Sequence, residues 1–157
     1  MDKMIVREAR LSDLEELLGF EQAIIEAERP FDPALKRGTT HYYDIREMIE
    51  SPDVRLVVAE SDGRLIASGY ARIEKAKPYY EHRHHSYLGF MYVVPEHRGK
   101  GVNKLIVDAL FDWSRDRGVQ EIRLEVYSGN AAAIRAYEKA GFTQNLVTMG
   151  IRLDRES

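Results

Sequence analysis

Between Arg98 and Asn103 the chain reads Arg-Gly-Lys-Gly-Val-Asn, two glycines interleaved with two cations. The residues just upstream, 90–94, are apolar, aromatic and β-branched, which is a strand signal, and Pro95 ends the ladder because proline has no N–H to donate. Downstream, Val102, Leu105, Ile106, Ala109, Leu110 and Trp113 recur at helical spacing and form one apolar face. Gly118 supplies the stop, with Arg115 and Arg117 in the last turn. A strand, a glycine loop and a helix start together make an anion site. The first amides of the helix have no partner inside it, and the helix dipole adds partial positive charge. Gly99 and Gly101 lack a Cβ, so a phosphate can approach the backbone, while Arg98 and Lys100 add full charges. The chemistry this suits is the cradling of a diphosphate. A Walker A loop would need Ser or Thr where Gly101 stands, and a dinucleotide fingerprint would need glycine where Lys104 stands.

Other residues with chemical potential lie on either side of that loop. Glu125 is a carboxylate in the run Ile-Arg-Leu-Glu-Val-Tyr over 122–127, which reads as a strand. Its side chain should point away from those of Leu124 and Val126. Asn130 can cap a helix over 131–140, closed by Gly141. The segment Tyr79-Tyr80-Glu81-His82-Arg83-His84-His85 is polar and aromatic. Three histidines raise the question of zinc, but no second ligand cluster accompanies them, so the reading is no metal and a loop flanking an acceptor pocket. Glu26 to Pro33 is an acidic connector that carries Phe31; it suits a cationic substrate or serves as a plain loop.

The elements that must position these groups follow from periodicity and breakers. Residues 5–9 read as a strand. Ser12, with Glu15 three residues on, reads as a capping box opening a helix that faces the core with Leu14, Leu17, Leu18 and Ile25. A second helix covers 42–49 and stops at Ser51-Pro52. Strands at 55–60 and 65–73 flank Asp62-Gly63 and form a hairpin. A fourth strand, 85–94, leads into the cradle, and one or two final strands are expected over 144–153. The plan is α+β: a central mixed β-sheet of six to seven strands flanked by about four helices. No repeat or linker divides it, so residues 1–157 read as one domain.

The chain has 157 residues with 44% apolar and 31% charged content, enough for one ordinary core. A formal net charge of −3 argues against nucleic acid or an anionic membrane as partner. No run is long enough to span a bilayer, and the first residues lack the apolar region of a leader, so the expected location is the cytoplasm. There is no cysteine, which excludes disulfides, thiolate metal sites and a cysteinyl acyl intermediate.

The loop resembles the acetyl-CoA loop of the GNAT acetyltransferase superfamily, Q/R-x-x-G-x-G/A, and departs from it only where Asn103 replaces a small residue. A second stretch looks like the other half of that family's site: Leu-Glu-Val at 124–126, then a turn, then N-x-x-A-x-x-x-Y-E-x-x-G-F, matched by Asn130, Ala133, Tyr137, Gly141 and Phe142. The order of elements is also the family's. The resemblance implies a sheet splayed between the fourth and fifth strands, with acetyl-CoA held by Met91, Tyr92, Val93, Arg98, Gly99, Lys100, Gly101, Val102, Asn103, Asn130 and Ala133. It implies N-acetyl transfer to a primary amine, small or peptidic, by direct attack in a ternary complex, and members that often pair as homodimers. Attack needs a neutral amine, so a base must take its proton; Glu125 fits, because Tyr87 holds the alternative family position on the fourth strand. Tyr137 matches the tyrosine that protonates the leaving thiolate. An unpaired amide of a bulged fourth strand, at Met91-Tyr92-Val93, would bind the oxyanion. Phe31, Tyr79, Tyr80, Glu81 and Tyr87 are candidates to contact the acceptor. Two rivals remain open at this level: a catalytically silent acyl-CoA-binding or regulatory module on the same fold, and a nucleotide-binding domain of another class.

Overall fold

The computed structural model describes residues 4–154; residues 1–3, at the start read above as lacking a leader, and 155–157 lie outside it. By contact the chain divides into Met1–Glu125 and Val126–Ser157.

The first unit is a sheet in the order β1-β2-β3-β4-β5 with helices on both faces. β1 (Met4–Glu8), β2 (Val54–Ser61), β3 (Arg64–Lys75) and β4 (His84–Val93) pair with one another antiparallel, each with the next. β5 (Ile122–Leu124) lies parallel to β4. Asp62 and Gly63 both take positive φ, 52° and 77°, as the tight turn between β2 and β3 requires. Between β1 and β2 run α1 (Leu14–Glu28) and α2 (Ile45–Glu50). They cover one face, where Leu17, Phe20, Met48, Leu56, Val58, Tyr70 and Phe90 form the core. On the opposite face, α3 (Val102–Asp116) buries Val102, Ile106, Val107, Leu110 and Ser114. Each Ile or Leu so buried contributes about 1.5–3 kcal/mol.

The capping box expected at Ser12 does not form; the N-cap is Arg10, two residues earlier, whose side chain has no acceptor to offer. Asp13 accepts a hydrogen bond from the Arg10 amide (2.8 Å) and pairs with Arg7 (2.8 Å), while Ser12 sits in a 3-10 turn over Leu11–Asp13. Leu18 is 38% exposed and faces away from the core. On α3 the buried stripe is rotated from the expected one, with Val107 inside and Leu105 41% exposed. Helix α2 begins at Ile45, because Asp44 accepts from the Glu47 amide and caps it there.

α3 approaches the sheet closely at Gly69. A Cβ placed there would stand 2.6 Å from Ile106 Cγ2 and 2.7 Å from Met91 Sδ. Gly69→Ala is therefore expected to overpack this seam and cost about 1–3 kcal/mol, read as a lower urea midpoint at unchanged slope. A buried polar link fixes the same helix: Ser86 and Ser114 hydroxyls lie 2.8 Å apart, and Ser114 donates onward to the Leu110 carbonyl (2.9 Å).

The second unit holds α4 (Ala131–Lys139). Gly141 follows it at φ 103°, and the Phe142 ring packs edge-on to Tyr137 at 5.8 Å between centroids. Residues 144–153 form no strand, so the sheet has five strands rather than six to seven. The alternation there is real, but no ladder receives it: Leu146, Met149, Ile151 and Leu153 are each more than 80% exposed. Among the described residues no helix is long and apolar enough to cross a membrane.

Candidate active site

The strand, glycine loop and helix expected around Arg98–Asn103 are present. After β4, Pro95–His97 makes a 3-10 turn, Arg98 returns to extended backbone, and Gly101 stands at the N-cap of α3. Gly99 and Gly101 take φ of 76° and 82°, a region that costs an L-residue about 1–2 kcal/mol. A Cβ on either would meet nothing within 4 Å, so glycine is required here by backbone conformation, and the space above the loop is open. No side chain caps α3, and its first intrahelical bond runs from the Leu105 amide to the Gly101 carbonyl. The amides of Val102, Asn103 and Lys104 therefore precede the helix's own ladder, as anion binding needs. Val102 is buried as an anchor, Asn103 is half-buried, and Lys100 is exposed. Arg98 differs from expectation. Its Nε donates to the Val93 carbonyl (2.8 Å) and its guanidinium lies 5.6 Å from the Tyr92 ring, so it braces the strand end as well as charging the loop.

β4 carries a bulge. Gly89 pairs with Tyr70 and Tyr92 with Ser68, which leaves Phe90 and Met91 opposite the single residue Gly69. Phe90 absorbs the extra residue at φ 55°. The bulge thus begins one residue before the stretch Met91-Tyr92-Val93 that was expected to hold it. Pairing with β5 stops at Leu88 and Leu124, so Gly89 to Val93 have no β5 residue opposite them. Phe90, Ser68 and Tyr43 meet at this bulge, and sequence reasoning did not single them out. The first has its N–H bonded to the Tyr43 hydroxyl (3.2 Å) and its carbonyl to the Ser68 hydroxyl (2.8 Å).

Glu125 directly follows β5, which ends at Leu124 and does not run on to Tyr127. The carboxylate is solvent-accessible and accepts a hydrogen bond from the Tyr87 hydroxyl at 3.0 Å. Burial, and then the Glu125 charge, push the Tyr87 pKa far above that of a free tyrosine. Tyr87 therefore remains a donor to Glu125 throughout the neutral range. Tyr70 packs beside Tyr87 (6.3 Å between centroids) and Tyr43 edge-on to Tyr70 (5.7 Å), so aromatic rings run from the α1–α2 connection to Glu125. Tyr80 lies under the Arg123 guanidinium at 4.5 Å, Tyr79 packs on Tyr80 at 4.9 Å, and Glu81 is exposed. Phe31 ends the 3-10 turn after α1 and is 39% exposed. The histidines are used locally: His82 stacks on Tyr80 at 5.2 Å and His85 lies 3.2 Å from Glu74. Among the described residues no cluster of three or more His, Asp or Glu is placed to hold a metal.

Asn130, Ala133 and Tyr137 belong to the second unit. Asn130 caps α4, its Oδ1 accepting from the Ala133 amide at 3.2 Å, and Tyr137 lies two turns further along the helix.

Comparison with known proteins bears on the fold and the family. The acetyltransferase (GNAT) family profile matches residues 21–142, well over half of the chain. An IAA acetyltransferase of Azospirillum brasilense is 27% identical over 88% of this chain and 82% of its own. A mycothiol acetyltransferase of Thermomonospora curvata is 33% identical over 76% of this chain and 39% of its own. The chain spans only 23–37% of the length of the first three curated relatives that it matches. Among solved structures, a mutant of the BH1408 protein of Bacillus halodurans overlays with a TM-score of 0.86 at 22% identity, covering 95% of this chain and 99% of that one. A predicted acetyltransferase of Clostridium acetobutylicum, solved with acetyl-CoA, overlays with a TM-score of 0.74 at 20% identity, covering 96% of this chain and 97% of that one. These overlays show a shared fold, and with the profile match they establish that the chain belongs to the GNAT acetyltransferase family.

Proposed function

We propose that the protein transfers the acetyl group of acetyl-CoA to a primary amine by direct attack in a ternary complex. The observation that carries this reading is the continuous run from the Phe90 bulge through Gly99 and Gly101 into an uncapped helix start. It offers amides for a thioester carbonyl at one end and for a diphosphate at the other. The open space above both glycines fits a diphosphate, and the residues to hold the cofactor are those of 91–93 and 98–103, joined by Asn130 and Ala133.

In the proposed reaction Glu125 takes a proton from the acceptor ammonium, directly or through a water, and frees its lone pair. The amine nitrogen bonds to the thioester carbonyl carbon, and bulge amides stabilise the charge that develops on the carbonyl oxygen. The C–S bond then breaks, Tyr137 gives its proton to the leaving sulfur, and the second proton released by the acylated nitrogen restores the Tyr137 hydroxyl through solvent, while Glu125 returns its proton to water. The amine gains an acetyl group and CoA leaves as the thiol. The tyrosines around Glu125 and the acidic connector bearing Phe31 favour an acceptor with positive charge.

A panel of amines incubated with acetyl-CoA and scored by thiol release tests the reading. Release that depends on one class of amine is the expected result. CoA binding without release from any amine would leave a binding module, and competition by ATP or NAD in place of CoA would point to another nucleotide. Gly101→Ala should weaken CoA binding by roughly 5- to 30-fold, the equivalent of about 1–2 kcal/mol of αL strain at the cradle, measured by calorimetric titration.

A further inference from the structure

Phe90 is a bulky residue in the left-handed region, a conformation that persists only where its surroundings over-determine it. Three contacts do so. The Ser68 hydroxyl, fully buried, donates to its carbonyl at 2.8 Å; the Tyr43 hydroxyl accepts from its amide at 3.2 Å; and its ring stacks on Tyr43 at 4.8 Å between centroids and 23° between planes. Both backbone polar groups of Phe90 are thus held by side chains. Tyr43 is in turn held from α1. Its own amide and that of Tyr42 each donate to Glu21 Oε2 at 2.8 Å, and Glu21 is 0% exposed.

We infer that Tyr43 and Ser68 are positioning residues for acyl transfer: by clamping the Phe90 peptide they set the direction in which the amides of 91–93 leave the bulge. This rests on the acetyl-CoA reading above. Neither side chain touches the reacting atoms in this account. Each fixes a peptide whose small rotation would carry the oxyanion donors off their target, and such donors act only when preorganised.

The test compares Tyr43→Phe and Ser68→Ala with wild type, by titration with CoA and acetyl-CoA and by turnover with the best amine. Wild type should bind acetyl-CoA about fivefold more tightly than CoA, the effect of one added hydrogen bond to the carbonyl. In Tyr43→Phe that preference should fall to about one while CoA affinity stays within about twofold, and kcat should drop about tenfold or more with little change in the acceptor KM. A variant that only loosened the fold would lose CoA affinity and melting temperature together. Ser68→Ala, the smaller change, should repeat the pattern and carries the test alone if Tyr43→Phe does not fold. Retention of both the wild-type preference and wild-type kcat in a folded variant overturns the inference and leaves acetyl transfer standing. A wild type that binds neither ligand overturns the acetyl-CoA reading and this one with it.

Discussion

Glu125→Gln is expected to lower kcat by about 10²- to 10⁴-fold, the range over which a positioned general base contributes. The substitution keeps the size of the side chain and its ability to accept from the Tyr87 hydroxyl, now 3.0 Å from Oε1, and removes only the basicity. CoA affinity should be unchanged, because the cradle amides belong to another part of the fold. Raising the pH should restore part of the lost rate, since more of the acceptor amine is then neutral without help. A folded Glu125→Gln protein with wild-type kcat would remove Glu125 from the mechanism. Tyr137→Phe separates the other half of the proton traffic, and should slow turnover while leaving CoA bound.

Glu21→Ala should produce the largest loss of stability, about 3–5 kcal/mol. The carboxylate lies fully inside the protein, where a charge is tolerated only if its partners are in place. Here they are the amides of Tyr42 and Tyr43 and the Nδ1 of His41, each at 2.8 Å. Alanine would leave two amides without acceptors and a void beneath them. A fall of roughly 10 °C or more in melting temperature is the corresponding shift for a chain of this length. Glu21→Gln keeps one acceptor oxygen and should lose less. A melting temperature equal to wild type in the alanine variant would show that the 41–43 segment is held by something else.

How much of this was legible beforehand depended on whether the information was local. The cradle and α3 could be placed from consecutive residues, because a glycine at positive φ and a helical stripe are decided within a few positions. The Asp62-Gly63 hairpin was readable for the same reason. The bulge was not, since it arises from a count of residues on two strands and from clamps at Tyr43 and Ser68, far away in the chain. Glu21 did leave a trace. It falls between Leu17 and Ile25 at four-residue spacing, on the face that α1 buries, and a carboxylate in such a row points to a polar task inside the fold. The alternation of 144–153 states that one side wants cover and is silent on what provides it, so it misled about strand number. The end of β5 at Leu124 was likewise invisible, because a parallel ladder of three pairs leaves no mark of its own in sequence.

The grip of Glu21 on the backbone of Tyr42 and Tyr43 bears on how this scaffold can be re-engineered. Exchanging residues 41–43 for those of a relative would pull on the segment that holds the Phe90 bulge. Library diversity is better spent on 33–39, whose exposed residues lie upstream of that anchor.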